Sequence, residues 1–261
     1  LPHASNVFGG VLPLAEAVGL AHDAGALVLA DDAQYVQSHR EDVQESGVDF
    51  ALFSAHKLGG PFGVGVLYGK AHLLNRMSGL PAGGGTVSAL RRRRDGWEPE
   101  YLDAPKRLEP GVADAAGLAG LTETLRLYGR LDYEALRAHI AGLVRRAVRG
   151  LRALPGVRVL GDEEHLAEGS IVSFHVVGRA FSGPDLALYL DSGLKRDSIA
   201  VRAGTHCAHM LHGRLGLRET VRLSFFAYSR EGDVDVFLEA LDGYLGRASK
   251  PRASGPRRAL A

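Results

Sequence analysis

Val28-Leu29-Ala30 closes on Asp31, and Phe50-Ala51-Leu52-Phe53 closes on Ser54, with His56 and Lys57 two and three residues further on. Runs this short and this apolar read as buried strands, and each ends where the chain must return to solvent. Pro13 to Ala24 precedes the first run. Its apolar residues recur at helical spacing (Leu14, Ala17, Val18, Ala21), and Gly25 stands at the stop position. A helix at 13–24, strands at 26–30 and 50–54, and a third strand at 64–68 predict an α/β fold with a doubly wound, mainly parallel sheet. In such sheets ligands sit at the carboxyl ends of strands, which is where Asp31 and the Ser54–Lys57 segment fall.

The rest of the chain divides by composition. Residues 78–111 are rich in Gly, Arg and Pro and read as an extended loop, with Arg91 to Arg94 as a solvated basic run. Helices are predicted over 113–128 and 132–153, the second rich in arginine and therefore wet on one face; Pro155-Gly156 ends it. Strands at 157–160, 170–176 and 221–225, with helices at 184–192 and 231–245, describe a smaller α+β unit. The expected organisation is residues 1–130 as part of a large domain, 131–246 as a small C-terminal domain, and 247–261 as a disordered basic tail.

With 261 residues and 46% hydrophobic content, the chain can bury a substantial core. A net charge of +1 gives no basis for nucleic-acid binding, and no stretch is long and apolar enough to predict a membrane span. The one cysteine, Cys207, rules out an intrachain disulfide framework and fits a reducing, cytoplasmic setting. His206, Cys207 and His209 lie close in sequence, but without a second cluster no metal site is expected from them.

A lysine and an aspartate delivered to one sheet edge suit pyridoxal phosphate (PLP). The amine condenses with the cofactor's aldehyde, and a buried carboxylate keeps the pyridine nitrogen protonated. A strand end bearing the Ser54 hydroxyl and the His56 imidazole can hold a phosphate dianion. The glycines of 59–65 are not followed by Gly-Lys-Ser/Thr, so they form no nucleotide loop and instead permit tight turning beside Lys57.

Five segments together carry a family resemblance: Ser5 to Gly9, Val28 to Gln34, Phe53 to Lys57, Gly63 to Lys70, and Arg202-Ala203-Gly204-Thr205-His206-Cys207-Ala208. The chain resembles the class V, fold-type I PLP enzymes, and within them the Suf-type cysteine desulfurases and selenocysteine lyases. The resemblance implies a three-layer PLP-transferase large domain, incomplete here, followed by the small α+β domain. It implies Lys57 as the cofactor-bearing lysine, Asp31 at the ring nitrogen, Gln34 at the phenolic oxygen, Ser54 and His56 at the phosphate, and Asn6 near cofactor and substrate. Arg202 matches a clamp for the substrate α-carboxylate, and Cys207 the sulfur-accepting nucleophile. It further implies L-cysteine as substrate, a homodimer and a sulfur-acceptor protein. Relatives carry a long segment before the point matching Leu1, so the chain is expected to be a fragment. Asp32, Val112 and Thr205 depart from the family's usual residues. Another class V reaction, or an inactive remnant needing its upstream half, stands as the alternative.

Overall fold

A computed structural model describes residues 1–77, 83–178, 181–194 and 197–248. They gather into two units, one holding Leu1–Ala4 and Leu12–Tyr133, the other Ser5–Val11 and the chain from Glu134 onward. The basic tail expected beyond residue 247 lies outside the described residues from 249.

In the first unit, α1 (Leu14–Asp23) leads to β1 (Leu29–Asp31), β2 (Phe50–Ser54), β3 (Gly65–Gly69) and α2 (Ala71–Leu74). The sheet order is β1-β2-β3. β1 runs parallel to β2, with Asp31 opposite Leu52. β3 runs antiparallel to β2. The link from Ser54 to Gly65 is a tight turn, too short for the crossover of about a dozen residues that a parallel return needs. Within the described residues the parallel pair is therefore the one that carries the polar strand ends.

The first strand was expected to be buried throughout, and it is not. Val28 and Ala30 face the core, while Leu27 and Leu29 are exposed. A strand's side chains alternate between faces, and here one face packs against α1. Leu14 and Val18 of α1 meet Val28, Ala30, Val48 and Ala51 there.

A buried carboxylate ties the sheet's entry side together. Asp49 accepts hydrogen bonds from the Val28 N–H at 2.8 Å, the Lys70 Nζ at 2.8 Å and the His22 imidazole at 2.9 Å. Burial pushes its pKa up, but these donors outweigh it and hold the carboxyl down to about 2.

After α2 the chain forms a hairpin of β4 (Val87–Arg93) and β5 (Gly96–Tyr101), where an irregular loop was expected. Arg91 pairs with Glu100 and Arg93 with Glu98 across the strands. The basic run is thus one side of a cross-strand charge ladder rather than a loop, and Asp95-Gly96 is the turn signal that periodicity alone passes over. Residues 78–82 of the expected loop lie outside the described residues. The unit closes with α3 (Ala115–Tyr128), capped by the Asp114 carboxylate accepting from the Gly117 N–H. Leu121 of α3 packs on Ala55 and Val64, so this helix backs the turn that bears Lys57.

The second unit runs α4 (Tyr133–Ala153), β6 (Val157–Val159), α5 (Glu163–Ala167), β7 (Ile171–Val176), α6 (Gly183–Ser192), β8 (Arg202–Gly204), α7 (His209–Leu215), β9 (Thr220–Ser224) and α8 (Glu231–Ala248), with the expected helices and strands in their expected sequence. β8, α5 and α7 are short and were not foreseen. The antiparallel sheet has the order β6-β7-β9-β8. α4 buries Leu136, Ile140, Leu143, Val144, Ala147, Val148 and Leu151, the helical spacing that marks a core-facing stripe. Its arginines face outward, and Arg146 forks onto Asp235 of α8 with two bonds of 2.7 Å. The Ser5–Val11 segment belongs to this unit. Its Gly9 has φ +75°, and a Cβ there would lie 2.1 Å from the Ile171 carbonyl oxygen, so only glycine lets the loop press this closely on β7.

Asp49 gives a pH prediction. Its folded pKa lies below the ordinary value, so the stabilisation it supplies is complete above about pH 4 and fades as pH falls towards 2. Asp49→Asn should cost about 2 kcal/mol at pH 7 and flatten the stability profile between pH 4 and 2, read by urea denaturation across that range.

Candidate active site

The expected site residues fall into two sets, one in each unit. The first set lies at the carboxyl edge of the parallel pair. Asp31 ends β1, and its Oδ1 accepts from the Ala33 N–H at 3.0 Å, an Asx turn that directs the chain away from the strand. Asp31 was expected to be buried, but it is exposed, because it falls on the outward phase of the strand's alternation. Gln34 follows half-buried, and its carbonyl and amide oxygens face the Gln37 amide at 3.3 and 3.4 Å.

On the neighbouring strand Ser54 ends β2. The chain then enters a 3₁₀ turn, Ala55–Leu58, that carries His56 and Lys57. The turn stops at Gly59, whose φ of 78° is left-handed, and the Gly60 N–H closes it on the Ala55 carbonyl at 3.0 Å. Ala55 and Leu58 are buried, Lys57 is half-buried, and His56 is exposed with its ring stacked 5.4 Å from that of Phe62. The buried residues anchor the turn that bears Lys57 and leave the His56 imidazole exposed. A carboxylate, an amide, a hydroxyl, an imidazole and an amine therefore stand at one strand edge, the donor set that a phosphorylated pyridine aldehyde requires.

The second set surrounds Cys207. β8 ends at Gly204, and His206 and Cys207 then adopt φ of 52° and 63°. Two successive non-glycine residues in the left-handed region cost backbone energy and need to be held. The Ala208 N–H closes the turn on the Thr205 carbonyl at 2.8 Å. The Asn6 amide donates to the His206 carbonyl at 2.8 Å.

The His206 ring is buried and fixed by a chain of hydrogen bonds. His212 Nδ1 lies 3.0 Å from the Ala208 carbonyl, which can only accept, so Nδ1 carries the proton. His212 Nε2 lies within hydrogen-bond distance of the Thr220 hydroxyl, at 3.0 Å. The same hydroxyl bonds His206 Nε2 at 2.9 Å. His206 Nδ1 is buried and has no hydrogen-bond partner among the described residues. Burial, reinforced by Arg222, lowers the His206 pKa to about 4, so the ring stays neutral at pH 7. Held in this way, Cys207 is exposed, with its Sγ 3.5 Å from an Arg202 guanidinium nitrogen. Thr205 bonds the His209 ring at 3.0 Å.

Arg222 was not singled out in the sequence. It lies on β9 opposite both Arg202 on β8 and Ser173 on β7. One guanidinium nitrogen donates to the Asn6 carbonyl at 3.1 Å, while its buried Nε has no partner among the described residues. Burial lowers its pKa, the neighbouring Arg202 lowers it further, and Cys207 works in the opposite direction. A half-buried arginine with an unspent donor beside a second guanidinium is a receptor for an anion. The overlooked signal was an arginine within the apolar run Val221-Arg222-Leu223, where an unpaired charge is rarely tolerated.

The family profile "Aminotransferase class-V" matches residues 1–237. A probable cysteine desulfurase of Mycolicibacterium paratuberculosis is 38% identical over 239 residues, which is 92% of this chain and 33% of that protein. The cysteine desulfurase CsdA of Escherichia coli is 37% identical over 238 residues, 91% of this chain and 56% of that one. The crystal structure of E. coli CsdA in an S-sulfonic acid form superposes with a TM-score of 0.84 at 35% identity, covering 95% of this chain and 58% of its own. A mutant of the enzyme C-DES with glycine covalently linked to its PLP cofactor superposes with a TM-score of 0.75 at 25% identity, covering 93% of this chain and 59% of that one. The chain spans between a third and three fifths of the length of these relatives.

The hydroxyl bridge between the two histidines gives a prediction. Thr220→Val should strand both Nε2 atoms and destabilise the protein by about 1–3 kcal/mol in urea denaturation, with Thr220→Ser recovering most of the loss.

Proposed function

The chain belongs to the class V aminotransferase family, and from that premise we propose that it is part of a PLP-dependent cysteine desulfurase, which takes sulfur from L-cysteine onto Cys207 and releases L-alanine. The observation that carries this reading is the Cys207 turn: an exposed thiol, held in left-handed backbone, against a guanidinium. An inert cysteine would need neither the exposure nor the strained support.

In this reading Lys57 would carry the cofactor. Asp31 would pair with the pyridine nitrogen, Gln34 with the phenolic oxygen, and Ser54 and His56 with the phosphate. When bound, PLP supplies the electron withdrawal that loosens the substrate's α-proton. Lys57 Nζ moves that proton. Asn6 and Arg202 orient the substrate carboxylate, and Arg222 adds a second guanidinium for the same anion. The Cys207 thiolate attacks the substrate sulfur; a new S–S bond forms, the C–S bond breaks, and its electron pair stays with the carbon that leaves in alanine. Cys207 is left as a persulfide. The reaction consumes one thiol and one cysteine and yields one persulfide and one alanine, so no external oxidant is needed. A protein thiol would then accept the sulfur, in a homodimer, in the cytoplasm. Among the described residues no helix is long and apolar enough to cross a membrane.

The test uses the purified protein with PLP and L-cysteine. Lys57→Ala should abolish the visible absorbance of bound cofactor. Cys207→Ala should keep that absorbance but form alanine and sulfide at background rate. Arg222→Gln should raise KM for L-cysteine about 10–100-fold, the loss of a charge-assisted carboxylate contact. Alanine formation at the wild-type rate by Cys207→Ala, with the absorbance intact, would overturn the desulfurase reading in favour of another class V reaction.

A further inference from the structure

Behind the Asp31 strand end lies a cluster with no part in the proposed reaction. His3 Nδ1 stands 2.8 Å from Asp32 Oδ1 and 3.3 Å from Glu41 Oε2. The three ligand atoms lie within 4.8 Å of one another. The side chains of Asp32, His3 and Glu41 are only 1%, 6% and 10% exposed. Among the described residues no lysine or arginine nitrogen comes within 4 Å of either carboxylate.

We propose that His3, Asp32 and Glu41 form a binding site for one divalent cation of the zinc class. Two carboxylates from separate segments aim at the same ring nitrogen, and one N–H proton cannot serve both well. The longer distance of 3.3 Å shows that the second contact is the weaker one. Even with His3 protonated, the cluster keeps one net negative charge in a buried place, which is costly. A divalent cation on a neutral imidazole and two carboxylates brings the cluster to zero. Zinc bonds to nitrogen and oxygen of about 2.0–2.2 Å in tetrahedral geometry place ligand atoms about 3.4 Å apart. The His3–Glu41 pair already has that spacing, and a rotation of the Asp32 carboxylate would give it to the other. Three protein ligands leave a fourth position for water.

The ligands are also held as metal ligands are held. The Tyr35 ring stacks on the His3 imidazole with centroids 3.5 Å apart. The Ser46 hydroxyl donates to Glu41 Oε1 at 2.6 Å, leaving Oε2 for the cluster. The Asp32 backbone is fixed by its N–H to the Leu52 carbonyl at 2.9 Å, and by its own carbonyl accepting from Tyr35 and Val36. The His3 N–H bonds the Asp31 carbonyl at 3.0 Å. Outer partners of this kind fix ring orientation and ligand direction.

The test is zinc titration by calorimetry of PLP-free protein carrying Cys207→Ser, which removes the one thiol from competition. One equivalent of zinc should bind, and Glu41→Gln and Asp32→Asn should each weaken it by about 100-fold or more. No stoichiometric binding, or binding unchanged in both variants, would overturn the proposal. Should the variants fail to fold, the unsubstituted ligand set still decides it. Zinc must protect His3 from diethylpyrocarbonate, mapped by mass spectrometry, and the metal's X-ray absorption must show one imidazole among oxygen ligands. Unprotected His3 or a shell without imidazole would refute the site.

Discussion

The Asp49 carboxylate holds the structure's central alignment in place. It sits at the entry to β2 and accepts from the first residue of the apolar run that becomes β1, while Lys70 at β3's end neutralises it and His22 of α1 adds a hydrogen bond. One buried acceptor thus joins the helix and all three strands of the first sheet. With the entry side fixed, the parallel register of β1 and β2 follows, and with it the shared edge where Asp31, Ser54, His56 and Lys57 emerge.

The second unit uses a different device for a similar end. A thiol is presented by a turn whose backbone is unfavourable by itself. The turn persists because Asn6 holds the His206 carbonyl and a histidine–threonine–histidine chain holds its ring. The arrangement spends buried polar groups on position, and among the described residues it leaves His206 Nδ1 and Arg222 Nε unsatisfied. Buried groups of this kind are expensive, and they concentrate where a ligand is to be met.

Much of this was legible in the chain. The β2 boundaries, the long α4 stripe and the placement of Lys57 after a strand follow from apolar periodicity and from glycine at the turn, which are local properties. The hairpin at β4 and β5 was not legible, because its strands are charged rather than apolar and gain their support from ion pairs across the ladder. β8 was missed because three residues are too few for any period to register. Arg222 was missed because its strand looked like core, and only the adjacent strands reveal two guanidiniums in register. The exposure of Asp31 likewise depends on which phase of β1 meets α1.

By itself the sequence determined the longer apolar helices and strands, the chemical identity of the lysine, aspartate and cysteine segments, and the family to which these motifs point. Those properties live in runs of neighbouring residues, where spacing and side-chain type suffice. The tertiary structure alone decided which distant residues meet: Asn6 with the Cys207 turn, Arg222 with Arg202, and His3 with Asp32 and Glu41. Such meetings arise from strand register and chain reversal, which depend on burial summed over the whole unit and leave no mark in any single stretch of sequence.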